Sequence, residues 1–284
     1  MSTRRYLLTH VFGITAALAL LAWAIGLSGL DMRVAHLTYD DVTLTFVGRH
    51  SYVLSLLADR VLVALPVLVG TAALTVALCS FFRPDLTAWR GISVAVLAVI
   101  VAGPLAAIAL KHVTALPRPH MLQIFGGRLA LPTRFFAGEG QPSGGALPSS
   151  HAAFGFTLLG LYFAGLAAEW RNLMRWGLAL GVALGVSLSV LRVAQGAHFL
   201  SQTVWSAALL WLLSALIFLP LMAMRARVAG ARLREADVGS AAPGTHVSLR
   251  PETRVPGGRS ASLHNAVRSV HSSGKSTVSS ILRK

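Results

Sequence analysis

Three short pieces of this 284-residue chain carry polar groups that are costly beside a lipid bilayer. They are Lys111 with Arg118, the run Ser149-Ser150-His151, and Arg192 with His198. Lys111 supplies a point charge and the two arginines supply planar forks. This donor set can surround a phosphoryl group and stabilise its equatorial oxygens in a transition state. Ser149 and Ser150, just ahead of an apolar run, can offer hydroxyls and the N–H groups of a helix start to an anion. His151 and His198 can share the chemistry, one imidazole attacking phosphorus while the other protonates the departing oxygen. Each residue alone also has a plainer reading. Lys111 fits a side chain snorkelling from a helix end, Arg118 a loop residue between Pro117 and Pro119, Ser149 a helix cap, and His151 an interfacial histidine like His112 and His120. Arg192 resists such a reading, because it ends an apolar run of small residues. Arg128, Arg134 and Glu139 in the loop between the first two pieces can either select a headgroup or face water.

The elements that must position these groups are membrane spans. The chain is 55% hydrophobic and 12% charged, with a mean hydropathy of +0.66, a composition that an ordinary water-soluble surface cannot accommodate. Six apolar runs cover residues 6–30, 61–82, 91–110, 152–168, 176–191 and 199–223, with a kink expected at Pro104. Ala22-Trp23-Ala24 is similar to a signal-peptidase site, but the first run exceeds the ~7–15 apolar residues of a cleavable signal, so it is read as an uncleaved span. Residues 31–60 are expected as an extramembrane loop with short helical or interfacial pieces. The fold class is therefore all-α, a six-span bundle over residues 1–224 followed by a basic tail, 225–284, too poor in apolar residues to fold alone and expected to be disordered.

With this count Lys111 ends the third span, His151 opens the fourth, Arg192 ends the fifth and His198 opens the sixth. All three pieces emerge at one membrane face, opposite the termini. Arg4, Arg5, Arg83, Arg90, Arg171, Arg175 and the tail share the other face, which the positive-inside rule makes cytoplasmic. The expected location is a bacterial inner membrane with the site on its periplasmic side. Much of the net charge of +15 belongs to the tail, which either adheres to anionic lipid or merely fixes topology. It is weak support for nucleic acid, and no nucleic-acid partner is expected. The single cysteine, Cys79, excludes an intramolecular disulfide and a cysteine metal cluster.

Together the three pieces resemble the signature of the type 2 phosphatidic-acid phosphatase superfamily, membrane relatives of bacterial class A acid phosphatases and vanadium haloperoxidases. Its first motif, Lys, six residues, Arg-Pro, is matched by Lys111, Arg118 and Pro119. Its second, Pro-Ser-Gly-His, is met as Pro148-Ser149-Ser150-His151. Its third, Ser-Arg, five residues, His, three residues, Asp, is met as Leu191-Arg192, His198 and Gln202. The resemblance covers roughly residues 50 to 222. It implies a nucleophilic His198 that becomes a phosphohistidine, His151 as general acid, phosphate binding by Lys111, Arg118, Ser149 and Arg192, to which the helix-start reading adds Ser150, and no metal or organic cofactor.

Three departures from the signature have consequences. Ser150 for Gly matters if the position needs a positive φ, and Leu191 for Ser loses a hydroxyl. Gln202 for Asp matters most: four residues past His198 on a helix, it shares that face and can accept the same hydrogen bond, but it brings no charge. The expected activity is a lipid phosphate or diphosphate phosphatase. The alternatives are a phosphotransferase using the same intermediate, a slow enzyme, one in which Glu139 or Asp31 substitutes for the missing carboxylate, and a non-catalytic phospholipid-binding membrane protein. The sequence does not define the oligomeric state.

Overall fold

The structure, a computed structural model, describes residues 1–131, 136 and 145–240, with side chains placed as far as Arg232. Arg134, Glu139 and residues 241–284 lie outside the described residues, so the headgroup reading of the first two and the tail beyond Ser240 do too. Six helices are long and apolar enough to cross a membrane, and the protein is an integral membrane six-helix bundle.

The first helix, α1 (Thr3–Leu27), starts where the Ser2 hydroxyl accepts from the Arg5 N–H. Its turns widen to π-type bonding over Leu7–Ile14. The His10 carbonyl there accepts from Trp211 Nε1 at 3.0 Å, and Tyr6 Oη donates to Ala215 O at 2.7 Å. Both bonds tie the first span to the last. Gly29, at φ 74°, turns the chain into a short helix, α2 (Leu30–Thr38), and then a two-stranded hairpin, β1 (Tyr39–Asp40) with β2 (Thr45–Phe46). Phe46, Leu122, Phe125 and Phe199 pack with these elements into a small apolar cluster at the site end of the bundle.

The second span, α3 (Tyr52–Cys79), starts well before residue 61, where the apolar run was expected to begin. Ser51 caps it by accepting from the Leu54 N–H at 3.3 Å, and the apolar residues from Tyr52 to Ala58 carry the helix past the charged pair Asp59-Arg60. The expected loop of residues 31–60 does hold a short helical piece, α2, but its end is corrected: residues from Tyr52 on, Asp59 among them, belong to a span.

α4 (Thr87–Leu110) runs unbroken through Pro104. The fourth span is α5 (Ser150–Ala168) and the fifth is α6 (Arg171–Ala194), which takes in Arg171 and Arg175 from the expected connector. The sixth, α7 (Leu200–Ser240), continues past residue 223, because Ala, Arg and Leu dominate the following turns and favour helix. Residues 225–240, read from sequence as the start of the tail, are helical.

In lipid, helix association rests on close packing rather than on apolar burial. The seam between α5 and α6 shows this. Gly177, Gly181 and Gly185 recur every four residues along α6, and a Cβ on them would meet Tyr162 N at 2.4 Å, Leu159 N at 2.7 Å and the Phe156 ring at 2.2 Å. Phe156, Phe163, Leu210 and Phe218 fill the centre of the bundle beside this seam.

Candidate active site

Every piece of the sequence constellation sits at one end of the bundle, and backbone geometry explains how. α6 stops in a Schellman end: Gly196 N donates to Val193 O and Ala197 N to Arg192 O, both at 2.9 Å, with Gly196 at φ 63°. That turn sets Arg192 in the last turn of one helix and His198 immediately before the next. His120 Nδ1 donates to Gly196 O at 2.9 Å, joining the Pro119–Met121 turn to it. Thr114 Oγ1 donates to Leu147 O at 3.3 Å and Ser206 Oγ to Ser149 O at 3.0 Å. The three signature pieces are thus stitched together through main-chain carbonyls. His120, read from sequence as an interfacial residue, belongs to this stitching.

Lys111 caps the C-terminal end of α4 and points its Nζ to Ser150 Oγ at 2.9 Å. Burial, then the charges of Arg118 and Arg192, hold its pKa below the usual lysine value. Ser150 has no positive φ, so the Gly-to-Ser departure creates no strain; its hydroxyl instead holds the lysine. Ser149 is fully buried and caps α5 by accepting from the Ala152 N–H at 3.4 Å. Arg118 lies partly buried between the buried Pro117 and Pro119, close enough to act on Lys111 and His198.

His198 is 4% exposed and Gln202 1% exposed. Gln202 Nε2 donates to Pro117 O at 3.3 Å, and its Oε1 accepts from the Phe199 N–H at 3.1 Å. Those two bonds fix which end of the amide is oxygen. The same Oε1 faces His198 Nδ1 at 3.3 Å, so Nδ1 carries the proton and Nε2 carries the lone pair. Burial, then the Lys111 and Arg118 charges, lower the His198 pKa to about 3, against the opposing pull of Gln202 and the Ala146 backbone. The ring is neutral at physiological pH, the form that can attack an electrophile.

Asp31, one of the two carboxylates considered as substitutes, does not serve His198. It accepts from Ser201 N at 2.8 Å and from Ser201 Oγ, capping α7. Among the described residues, the carboxylate that reaches the constellation is Asp59 of α3. Its Oδ1 accepts from Arg192 Nη2 at 2.5 Å and lies 3.0 Å from His151 Nε2. Arg192 Nη2 also contacts His151 Nε2, and Nη1 donates to Gln195 Oε1 at 2.9 Å. The sequence signal for Asp59 was a carboxylate near the start of a span on the face where the cations gather.

Fold and site together define an integral membrane protein with a cationic, two-histidine site at one end of a six-helix bundle. The sequence model of the PAP2 superfamily matches residues 91–225, a stretch containing every site residue expected from the sequence. The match supports membership of that superfamily, which consists of phosphatases. Asp59 and the α2–hairpin cap precede the matched stretch. No curated protein and no solved structure matches the chain.

Proposed function

We propose that this protein removes phosphate or diphosphate from a lipid through a phosphohistidine on His198. The observation that carries the reading is the fixed amide of Gln202, whose oxygen faces His198 Nδ1 and so favours the tautomer with a lone pair on Nε2, within the influence of Lys111 and Arg118. In the first step Nε2 attacks phosphorus, the P–O bond to the lipid breaks, and the departing oxygen takes a proton from His151. In the second, water attacks the phosphohistidine, its proton passes to His151, and the P–N electrons return to Nε2. Lys111, Arg118 and Arg192 offset the negative charge of the transferring group throughout.

A lipid is the favoured substrate because the site lies at the ends of membrane spans and borders an apolar cavity. That cavity, about 360 Å³, is walled in part by Leu110, Val113, Leu147, Pro148, Trp205 and Leu209. Its wall includes the chain neighbours of Lys111 and Ser149, so a hydrocarbon chain seated there would bring its headgroup to the cations. A second apolar cavity, about 510 Å³, runs along α1, α6 and α7 and takes in none of the site residues. The arginines at the opposite end support the reading in which the termini face the cytoplasm and the site the periplasm.

The test is phosphate release by detergent-purified protein from a panel of lipid mono- and diphosphates, beside His198→Ala. The variant is expected to lose at least about 10³-fold in kcat. Equal rates in the two proteins would remove His198 as nucleophile. Silence in both, with lipid binding retained, would support the non-catalytic reading that Gln202 allows, and phosphate transfer to an added lipid alcohol would make the protein a phosphotransferase.

A further inference from the structure

We propose that Asp59 is the carboxylate that keeps His151 able to act as proton donor, so that the negative charge absent from Gln202 is supplied on the opposite side of the site. This inference rests on the phosphatase reading above. His151 Nε2 stands between two groups of opposite kind. Arg192 Nη2 can only donate a hydrogen bond, and an ionised Asp59 Oδ1 can only accept one. With Nε2 unprotonated the ring turns a lone pair to Arg192, whereas with Nε2 protonated it gives that N–H to Asp59.

The charge balance explains why the second state needs a carboxylate. Lys111, Arg118 and Arg192 already bring three positive charges, and a charged imidazole adds a fourth. Asp59 bonds both Arg192 and His151 and offsets that repulsion at the one ring that must be charged before the P–O bond breaks. Among the described residues, Asp31 is committed to Ser201, and Glu169 pairs with Arg225 at the far end of the bundle. Asp59 is ion-paired with Arg192, which offsets the cost of a carboxylate beside the bilayer. The proton that passes to the leaving oxygen is the one on Nδ1: the ring keeps its Nε2–H on Asp59, and the freed Nδ1 lone pair is ready to accept a proton from water in the second step. Asp59 acts through His151 and is a positioning residue.

The test compares two leaving groups. A short-chain phosphatidate leaves as an alkoxide that must be protonated, whereas 4-nitrophenyl phosphate leaves as a stable phenolate. For Asp59→Asn, kcat on the phosphatidate is expected to fall about 10²-fold, with KM changed little, while kcat on the nitrophenyl ester changes less than about threefold. The alkaline limb of the phosphatidate pH profile is expected to move to lower pH, since the ring loses its stabilising charge. Asp59→Glu keeps the charge and is expected to keep the wild-type ratio of the two rates, which also serves if the asparagine variant does not fold. Equal losses on both esters would make Asp59 a mere anchor for Arg192 and overturn the inference, as would no loss on either or a collapsed ratio in Asp59→Glu. A wild-type protein that hydrolyses neither ester nor any lipid mono- or diphosphate of the panel overturns the phosphatase reading itself, and the role of Asp59 with it.

Discussion

Gln202 presents an oxygen and an N–H₂ where an aspartate has only acceptors, and the structure uses both ends. It sits at the third position of α7 and reaches back to the Phe199 N–H, a capping-box contact that suits Gln, while the same oxygen orients His198 and the nitrogen holds Pro117. Gln202→Leu leaves the buried His198 Nδ1–H and the Pro117 carbonyl without partners. We expect a loss of about 1–3 kcal/mol in stability for each buried group left unpaired, seen as a lower melting temperature in detergent, and a fall in kcat of at least about 10²-fold as the ring loses its tautomer. Gln202→Asp restores the signature but removes the donor to Pro117, so a gain in turnover there would show that charge at His198 outweighs this bond. Ser150→Gly frees Lys111 from its hydroxyl and is expected to weaken substrate binding by about 1 kcal/mol, roughly fivefold in KM. The pH dependence has a definite sign. His198, with a pKa of about 3, stays neutral and competent as pH falls through the ordinary histidine range, while protonation of the general acid is favoured. For an alkyl phosphate, kcat/KM, which reports the first step, is expected to hold or rise from about pH 8 to about pH 5. An acid-side loss centred near the ordinary histidine pKa would contradict the neutral nucleophile.

Between helices, the exact fit of α5 on α6 decides whether His151 and Arg192 meet. A Cβ at Gly181 would meet Leu159 N at 2.7 Å, main chain that cannot step aside. Gly181→Val is therefore expected to cost about 1–3 kcal/mol or more and to lower activity with it, read by thermal melting and phosphate release. Gly196→Ala strains the positive φ and drives a methyl to 2.3 Å from the Phe46 ring, within the turn that spaces Arg192 from His198. The spans themselves were legible because long apolar runs have few alternatives in a bilayer. Their ends were less so: the charges of Asp59 and Arg60 interrupted the second run, so the carboxylate nearest the site was assigned to a loop. The glycine seam had a four-residue spacing that was visible in the sequence, but its partner helix was not.

At the scale of the whole molecule, the even number of spans is expected to place reporters fused after residue 240 and inserted at the start of the chain on one side, and a reporter at Gly126 on the other. A shared side for residue 126 and the end of α7 would overturn the six-span arrangement. The sequence made legible which residues gather at one face, because span counting requires only parity. It could not show how they join, since His120, Gln202, Ser206 and Thr114 bind main-chain carbonyls distant in sequence, which no pattern of side chains encodes. The apolar cavity beside the site has one more consequence. A substrate held there by its chain diffuses in two dimensions, and its effective concentration is a mole fraction of the membrane rather than a molarity of the solution. Diluting vesicles with buffer should leave the rate per enzyme unchanged, while diluting the substrate with inert lipid at fixed total amount should lower it.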